Sequence, residues 1–235
     1  MRTTKQEARA AGLLYVLIAV IAPVGLLYVP GKLIVSGSAS ATADNLRAQG
    51  SLLRWGMASE LLHQVIAVFL VLALYRLFKP VSETLARQLI VFGALLSVPI
   101  VFLNVLNDVA ALTLVGGAKF LSVFDRPQLD ALAYLFVRMH QQGIVVASIF
   151  WGIWLFPFGL LVRRSGFIPR WLGLLLFLAG AGYVANATAI LIFPQVAPAV
   201  DPIASILQIG ELPIIVWLAI WGAKPQGSGT GLNAG

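Results

Sequence analysis

Leu52-Leu53-Arg54-Trp55-Gly56-Met57-Ala58-Ser59-Glu60-Leu61-Leu62-His63-Gln64-Val65-Ile66-Ala67-Val68-Phe69-Leu70-Val71-Leu72-Ala73-Leu74-Tyr75-Arg76-Leu77-Phe78 is the stretch on which the fold turns. An apolar run of about 20 residues crosses the hydrocarbon core as a helix, because lipid offers backbone groups no partner outside the helix itself. This run is long enough. Inside it, Glu60, His63 and Gln64 stand three and four residues apart and so share one helical face. One segment therefore predicts both a membrane span and a polar group held within it.

Five further segments read the same way: Ala10 to Val29, Leu89 to Leu114, Leu132 to Val162, Trp171 to Phe193 and Ile203 to Gly222. The fold predicted is all-α, a six-transmembrane-helix bundle over residues 1–225 followed by a flexible Gly-rich tail over 226–235. Composition agrees, with 60% of the 235 residues hydrophobic and 11% charged; charged residues make up about a quarter of a soluble domain. Ala39-Ser40-Ala41 resembles a signal-peptidase site, but the apolar run before it is too long and ends too far upstream, so the first segment is expected to stay as a span. With no cysteine, disulfides, thiolate metal sites and cysteine nucleophiles are excluded.

The net charge of +7 lies at the ends of the apolar runs rather than in one basic patch, which argues for membrane orientation and against nucleic acid. Arg2, Lys5, Arg9, Arg76, Lys79, Arg87, Arg163, Arg164, Arg170 and Lys224 fall on one side; Lys32, Arg47, Arg54, Lys119, Arg126 and Arg138 fall on or near the other. Ten against six predicts that the first side, with both termini, is cytoplasmic. Two longer loops then face outward. In 37–50 a serine cap is expected before a short helix through Asn45 and Arg47; in the second, Phe120, Leu121 and Phe124 point toward the interface, and Asp125 with Gln128 caps the fourth span. Together these loops predict a lid.

Counted inward from the outer ends, polar residues of five spans reach a similar depth: Ser59, Glu60, His63 and Gln64; Asn104, Asn107 and Asp108; His140 and Gln141; Asn186; and Gln208 with Glu211. His140 shares a face with Gly143, Ala147 and Trp151, a packing stripe, and so points inward. Pro213 is expected to free the carbonyl of Ile209 as an added acceptor. Interhelical hydrogen bonding alone would account for any single one of these groups. A carboxylate at mid-membrane costs about 2.5–3.5 kcal/mol, however, and three acids with two histidines exceed what such bonding needs.

The reading is an outward-facing polar pocket that binds a small ligand, a lipid headgroup or a cation, with the lipid bilayer as the one certain partner and the oligomeric state open. An alternative is a metal-dependent intramembrane hydrolase of lipid amides or esters. There His63, His140 and Asp108 would hold a metal, with zinc as the candidate cofactor, another carboxylate would serve as base, and Ser59 or Asn104 would support the oxyanion. The Ser59 to His63 spacing and Asp108 resemble the superfamily of alkaline ceramidases and adiponectin-type receptors, whose seven spans and further histidine pair are missing here. Proton-coupled transport is a further possibility, although the cytoplasmic half of the spans carries no polar residues, and a purely structural or accessory role is a third.

Ala11-Gly12-Leu13-Leu14-Tyr15, Gly31-Lys32-Leu33-Ile34-Val35, Phe124-Asp125, His140 with Gly143 and Gly152, and Arg164-Ser165-Gly166 followed by Pro169-Arg170 and Leu172-Gly173 run in the order found in a bacterial family of small membrane proteins. The chain resembles that family, domain of unknown function 4386, over nearly its whole length. The resemblance implies six spans in a bacterial inner (plasma) membrane and carries no catalytic assignment.

Overall fold

The computed structural model describes residues 4–224, and those residues are helical with no strand among them. The tail expected over 226–235 lies outside the described residues. Six helices are long and apolar enough to cross a membrane: α1 Thr4–Leu33, α3 Gly50–Phe78, α4 Glu83–Val115, α5 Arg126–Ser165, α6 Arg170–Ile192 and α7 Ala197–Ile220. Between the first two, a shorter helix α2 runs from Ala39 to Ala48.

Local chemistry sets the helix ends. The Ser38 hydroxyl accepts from the Ala41 amide to begin α2, and Asp125 and Gln128 form the reciprocal capping box that begins α5. At the far end of α5, Gly166 takes the left-handed conformation (φ 72°), which no side chain tolerates as easily, and Pro169 follows to open α6.

The spans form a closed ring in which each packs on its sequence neighbours and α7 returns to α1. Small residues allow the closest approaches. A Cβ on Gly152 would stand 2.8 Å from the Gly180 carbonyl oxygen, and one on Gly182 would stand 2.9 Å from that of Ala204, so Ala179-Gly180-Ala181-Gly182 is the contact surface of α6 with both neighbours. Large apolar residues such as Leu13, Leu27, Leu103 and Ile206 face outward, as lipid requires.

The buried apolar residues form two storeys. The larger lies at the end where the described residues begin and finish and is built on Phe78, which meets Phe158 edge-on at 5.7 Å and stacks on Phe167 at 5.8 Å. Arg9 closes this end by donating two bonds to the Ile220 carbonyl (3.1 and 2.8 Å). The smaller storey, with Val29, Leu33, Leu46, Leu53, Ala111, Ala133 and Val137, lies under α2 at the opposite end. Along α3, α4 and α5 the polar residues fall between the two.

Four of the spans are irregular. A π segment, Val24–Tyr28, interrupts α1 just before Pro30, which has no N–H for the Leu26 carbonyl; another, Val91–Leu96, interrupts α4. In α5 the helix breaks at Trp154, three residues before Pro157. In α7 a 3-10 turn, Ile209–Glu211, precedes Pro213, and the Leu212 amide bonds the Ile209 carbonyl. The acceptor expected to be free at Ile209 is therefore taken, because the tighter turn supplies a donor one residue earlier than proline removes one.

Candidate functional site

Glu60 of α3, Asp108 of α4 and His140 of α5 come together between the two apolar storeys, all three buried. His140 Nε2 lies 3.1 Å from Glu60 Oε1, and its Nδ1 lies 3.2 Å from Asp108 Oδ2, out of line for a hydrogen bond. Among the described residues Glu60 Oε2 thus has no hydrogen-bond partner, and His140 Nδ1 has only poorly aligned neighbours in Asp108 and the Asn104 backbone. One ligand atom from each of the three residues falls within 4.8 Å of the other two.

Neighbouring residues hold this arrangement. Gly25, in the π segment of α1, brings backbone against Glu60; Gly143 opens a space in α5 that the Asn104 carboxamide fills, and Asn104 donates from there to the His140 carbonyl at 2.8 Å. Asn107 in turn donates to Asn104 Oδ1 at 3.0 Å. Gly25, Gly56, Glu60, Asp108, Val137, His140 and Gln141 border a narrow cavity roofed by Pro30, Leu33, Ile34 and Leu46 of α2. It admits the centre of a water-sized sphere over about 20 Å³, room for a water or a single ion.

The roof is fastened from several sides. Arg47 pairs with the buried Asp130 of α5 and with Asp44, which also meets Arg126 at 2.8 Å. The hydrogen bond with Asp130 holds the Arg47 guanidinium above its ordinary pKa against the opposing effect of burial. Asn45 donates to the Leu33 carbonyl at 3.0 Å, and the Tyr134 hydroxyl accepts from the Gly37 amide at 3.0 Å. The two outer loops expected to form a lid meet here, since Asp44 and Arg126 join them directly.

The polar layer expected from the sequence divides. His63 is buried beside the cluster but engaged elsewhere: with the Gln64 amide nitrogen 3.1 Å from Nε2, its Nδ1 is the protonated nitrogen and faces the Ser59 carbonyl at 3.3 Å. The metal-ligating set expected was His63, His140 and Asp108, whereas the three brought together are Glu60, Asp108 and His140. Ser59 donates to the Ile21 carbonyl at 2.6 Å and Asn104 to that of His140, so both donors expected at an oxyanion are committed to backbone. Gln141 borders the cavity while accepting from Arg138 at 2.8 Å.

Glu211 belongs to a separate centre. It accepts from the Tyr15 hydroxyl, with the Tyr183 phenol as a second partner, and Tyr15 in turn packs against Trp154 at 5.9 Å. Neither tyrosine stood out in the sequence, where each reads as an ordinary apolar-face aromatic; the signal available was an intramembrane acid in need of a donor. Asn186 pairs with Asp201 at 3.0 Å near the rim, and Gln208, partly buried, sits at the start of the α7 turn.

The sequence model of the family described as Domain of unknown function (DUF4386) matches residues 10–222. The chain belongs to that family. A protein described as "Uncharacterized protein" from Archaeoglobus fulgidus is similar as well, 29% identical over 171 residues that cover 69% of this chain and 86% of that one. No solved structure matches. This DUF4386 protein is thus a multi-pass membrane protein by both its family and its six apolar helices.

Proposed function

We propose that this DUF4386 protein binds a single small cation in an outward-facing pocket within the membrane, on Glu60, Asp108 and His140. One observation carries the reading: among the described residues the buried Glu60 Oε2 has no hydrogen-bond partner and the buried His140 Nδ1 has no well-aligned one, beside a cavity with room for one ion. Unpaired polar atoms are expensive where no water or ligand reaches them, and an ion between them removes that cost. The size of the cavity favours a cation over a lipid headgroup or an organic ligand. Hydrolysis of lipid amides or esters, the alternative, would need space for an acyl group and free oxyanion donors, and Ser59 and Asn104 already donate elsewhere.

The orientation belongs to the same proposal. With the end richer in Lys and Arg in the cytoplasm of a bacterial inner membrane, α2 and the cavity beneath it face outward. A second reading has support from the two ring nitrogens of His140, each facing a carboxylate: the three residues would then hold a proton rather than a metal or alkali ion.

Thermal unfolding of chelator-treated protein in detergent, titrated with chloride salts of single cations, tests the reading. An ion held in the native state at about 100 times its dissociation constant adds about 2.7 kcal/mol. At least one salt should raise Tm in the wild type and fail to do so in Asp108→Asn. If no salt acts on wild-type protein that is folded, the cation reading is wrong and the proton reading takes its place.

A further inference from the structure

Resting on the cation reading above, we infer that the ion is a divalent first-row transition metal, held by three protein ligands, and not an alkali or alkaline-earth ion. Charge gives the first argument. Among the described residues, His140 is the sole ion-pair partner of Glu60 and of Asp108, while Arg47 is engaged with Asp130 and Asp44. Two buried carboxylates with one imidazole therefore lack a balancing charge. With both carboxylates ionised, a monovalent ion beside neutral His140 leaves a net charge of −1 in a low-dielectric layer, whereas a divalent ion leaves none.

Donor chemistry gives the second. Calcium takes 6–8 oxygen ligands, and magnesium keeps several waters in an octahedron. Glu60 and Asp108 offer at most four oxygens between them, and the cavity is too narrow to admit a hydrated magnesium. An imidazole nitrogen adds affinity for zinc, iron, cobalt or nickel over the hard ions, and a site without sulfur disfavours copper(I). Catalytic-type zinc sites likewise use three protein ligands drawn from imidazole and carboxylate.

Spacing gives the third. Two ligands each about 2 Å from one ion stand roughly 3–4 Å apart. The two short approaches use opposite ring nitrogens, Nε2 to Glu60 at 3.1 Å and Nδ1 to Asp108 at 3.2 Å, and an ion takes only one of them; one donor atom of each residue falls within 4.8 Å of the others, so the set closes on an ion once the second carboxylate turns to the same nitrogen. The Asn104 bond to the His140 backbone and the Gly25 contact with Glu60 already hold two of the three ligands in place.

The test is competition. Chelator-stripped protein in detergent is equilibrated with equimolar zinc, manganese, cobalt, magnesium and calcium in sodium buffer, desalted, and analysed by element. Wild type should retain about one transition ion per chain, with at least a tenfold loss in Glu60→Gln, Asp108→Asn and His140→Gln, and no loss in Glu211→Gln, which lies in the other centre. Retention of calcium or magnesium with the same dependence overturns the inference and leaves the cation reading standing. Folded wild type that retains none of the five overturns the inference and leaves the cation reading to the salt titration above; site variants that retain as much as wild type bring down both. Cobalt(II) absorption on wild type decides the case even where the variants misfold: bands of a low-coordinate nitrogen–oxygen site support the inference, and the weak bands of the hydrated six-coordinate ion overturn it.

Discussion

Gly25 stands directly against Glu60: a Cβ at position 25 would lie 2.7 Å from Glu60 Cγ and 2.7 Å from the Gly56 carbonyl oxygen. Only a residue without a side chain lets the π segment of α1 reach α3 there. Gly25→Ala should therefore move Glu60 away from His140. Overpacking of this kind costs about 1–3 kcal/mol, and any stabilisation by the proposed ion should fall with it. The check is Tm in detergent with and without the ion. A variant whose ion-induced rise in Tm matches wild type would mean that Glu60 is not positioned by this contact.

Arg47 and Asp130 fasten α2 over the cavity, and Asp130 is the buried partner. Arg47→Ala leaves that carboxylate without its charged donor, a loss of about 1.5–3 kcal/mol for a bond of this type. Asp44→Ala, which removes pairs on exposed side chains, should cost less than about 1 kcal/mol. Hydrogen exchange over 39–48 should rise in the first variant and not in the second.

The pH dependence of that clasp follows from the raised pKa of Arg47. A group whose folded pKa is raised adds stability that is present in full below its unfolded pKa and is lost as pH rises through the folded one. The guanidinium loses its proton far above neutrality, so this contribution should stay constant between about pH 5 and pH 9. Exchange over α2 that varied across that range would have to be traced to another group.

Tyr15 and Glu211 form the contact by which α1 holds the turn of α7. Tyr15→Phe keeps the ring against Trp154 but withdraws a donor from the carboxylate, at a cost of about 1.5–3 kcal/mol. A double-mutant cycle with Glu211→Gln should show coupling of the same order, read by thermal unfolding. Additive effects would show that the two side chains act independently.

The spans were legible because apolar length and the alternation of charge at the ends are one-dimensional signals, and the caps at Ser38 and Asp125 were legible because their partners lie three residues away. Glu60, Asp108 and His140 could be placed at one depth from the sequence, but not against one another. Depth follows from counting along a helix, whereas rotation about the helix axis depends on contacts such as Asn104 with Gly143. For the same reason His63 looked like the second ligand: it shares a face with Glu60, yet Gln64 and the Ser59 carbonyl occupy its ring nitrogens. Glu211, at a similar depth by counting, pairs instead with Tyr15 of α1 and Tyr183 of α6. The π segments in α1 and α4 had no periodic signature, since each adds one residue to a turn without changing which residues are apolar.

The orientation can be measured with unusual economy, because the chain has no cysteine and any introduced one is the sole thiol. Val123, 81% exposed in the loop before α5, and Pro80, in the turn between α3 and α4, lie at opposite ends of the bundle. The excess of Lys and Arg at the Pro80 end predicts that it is cytoplasmic. Val123→Cys should then react with a membrane-impermeant maleimide on cells whose plasma membrane is sealed and accessible, while Pro80→Cys should react only after the membrane is opened. The reverse pattern would turn the bundle over and place α2 and the Glu60, Asp108 and His140 cavity on the cytoplasmic side. The proposed ion would then be drawn from the cell interior rather than from outside.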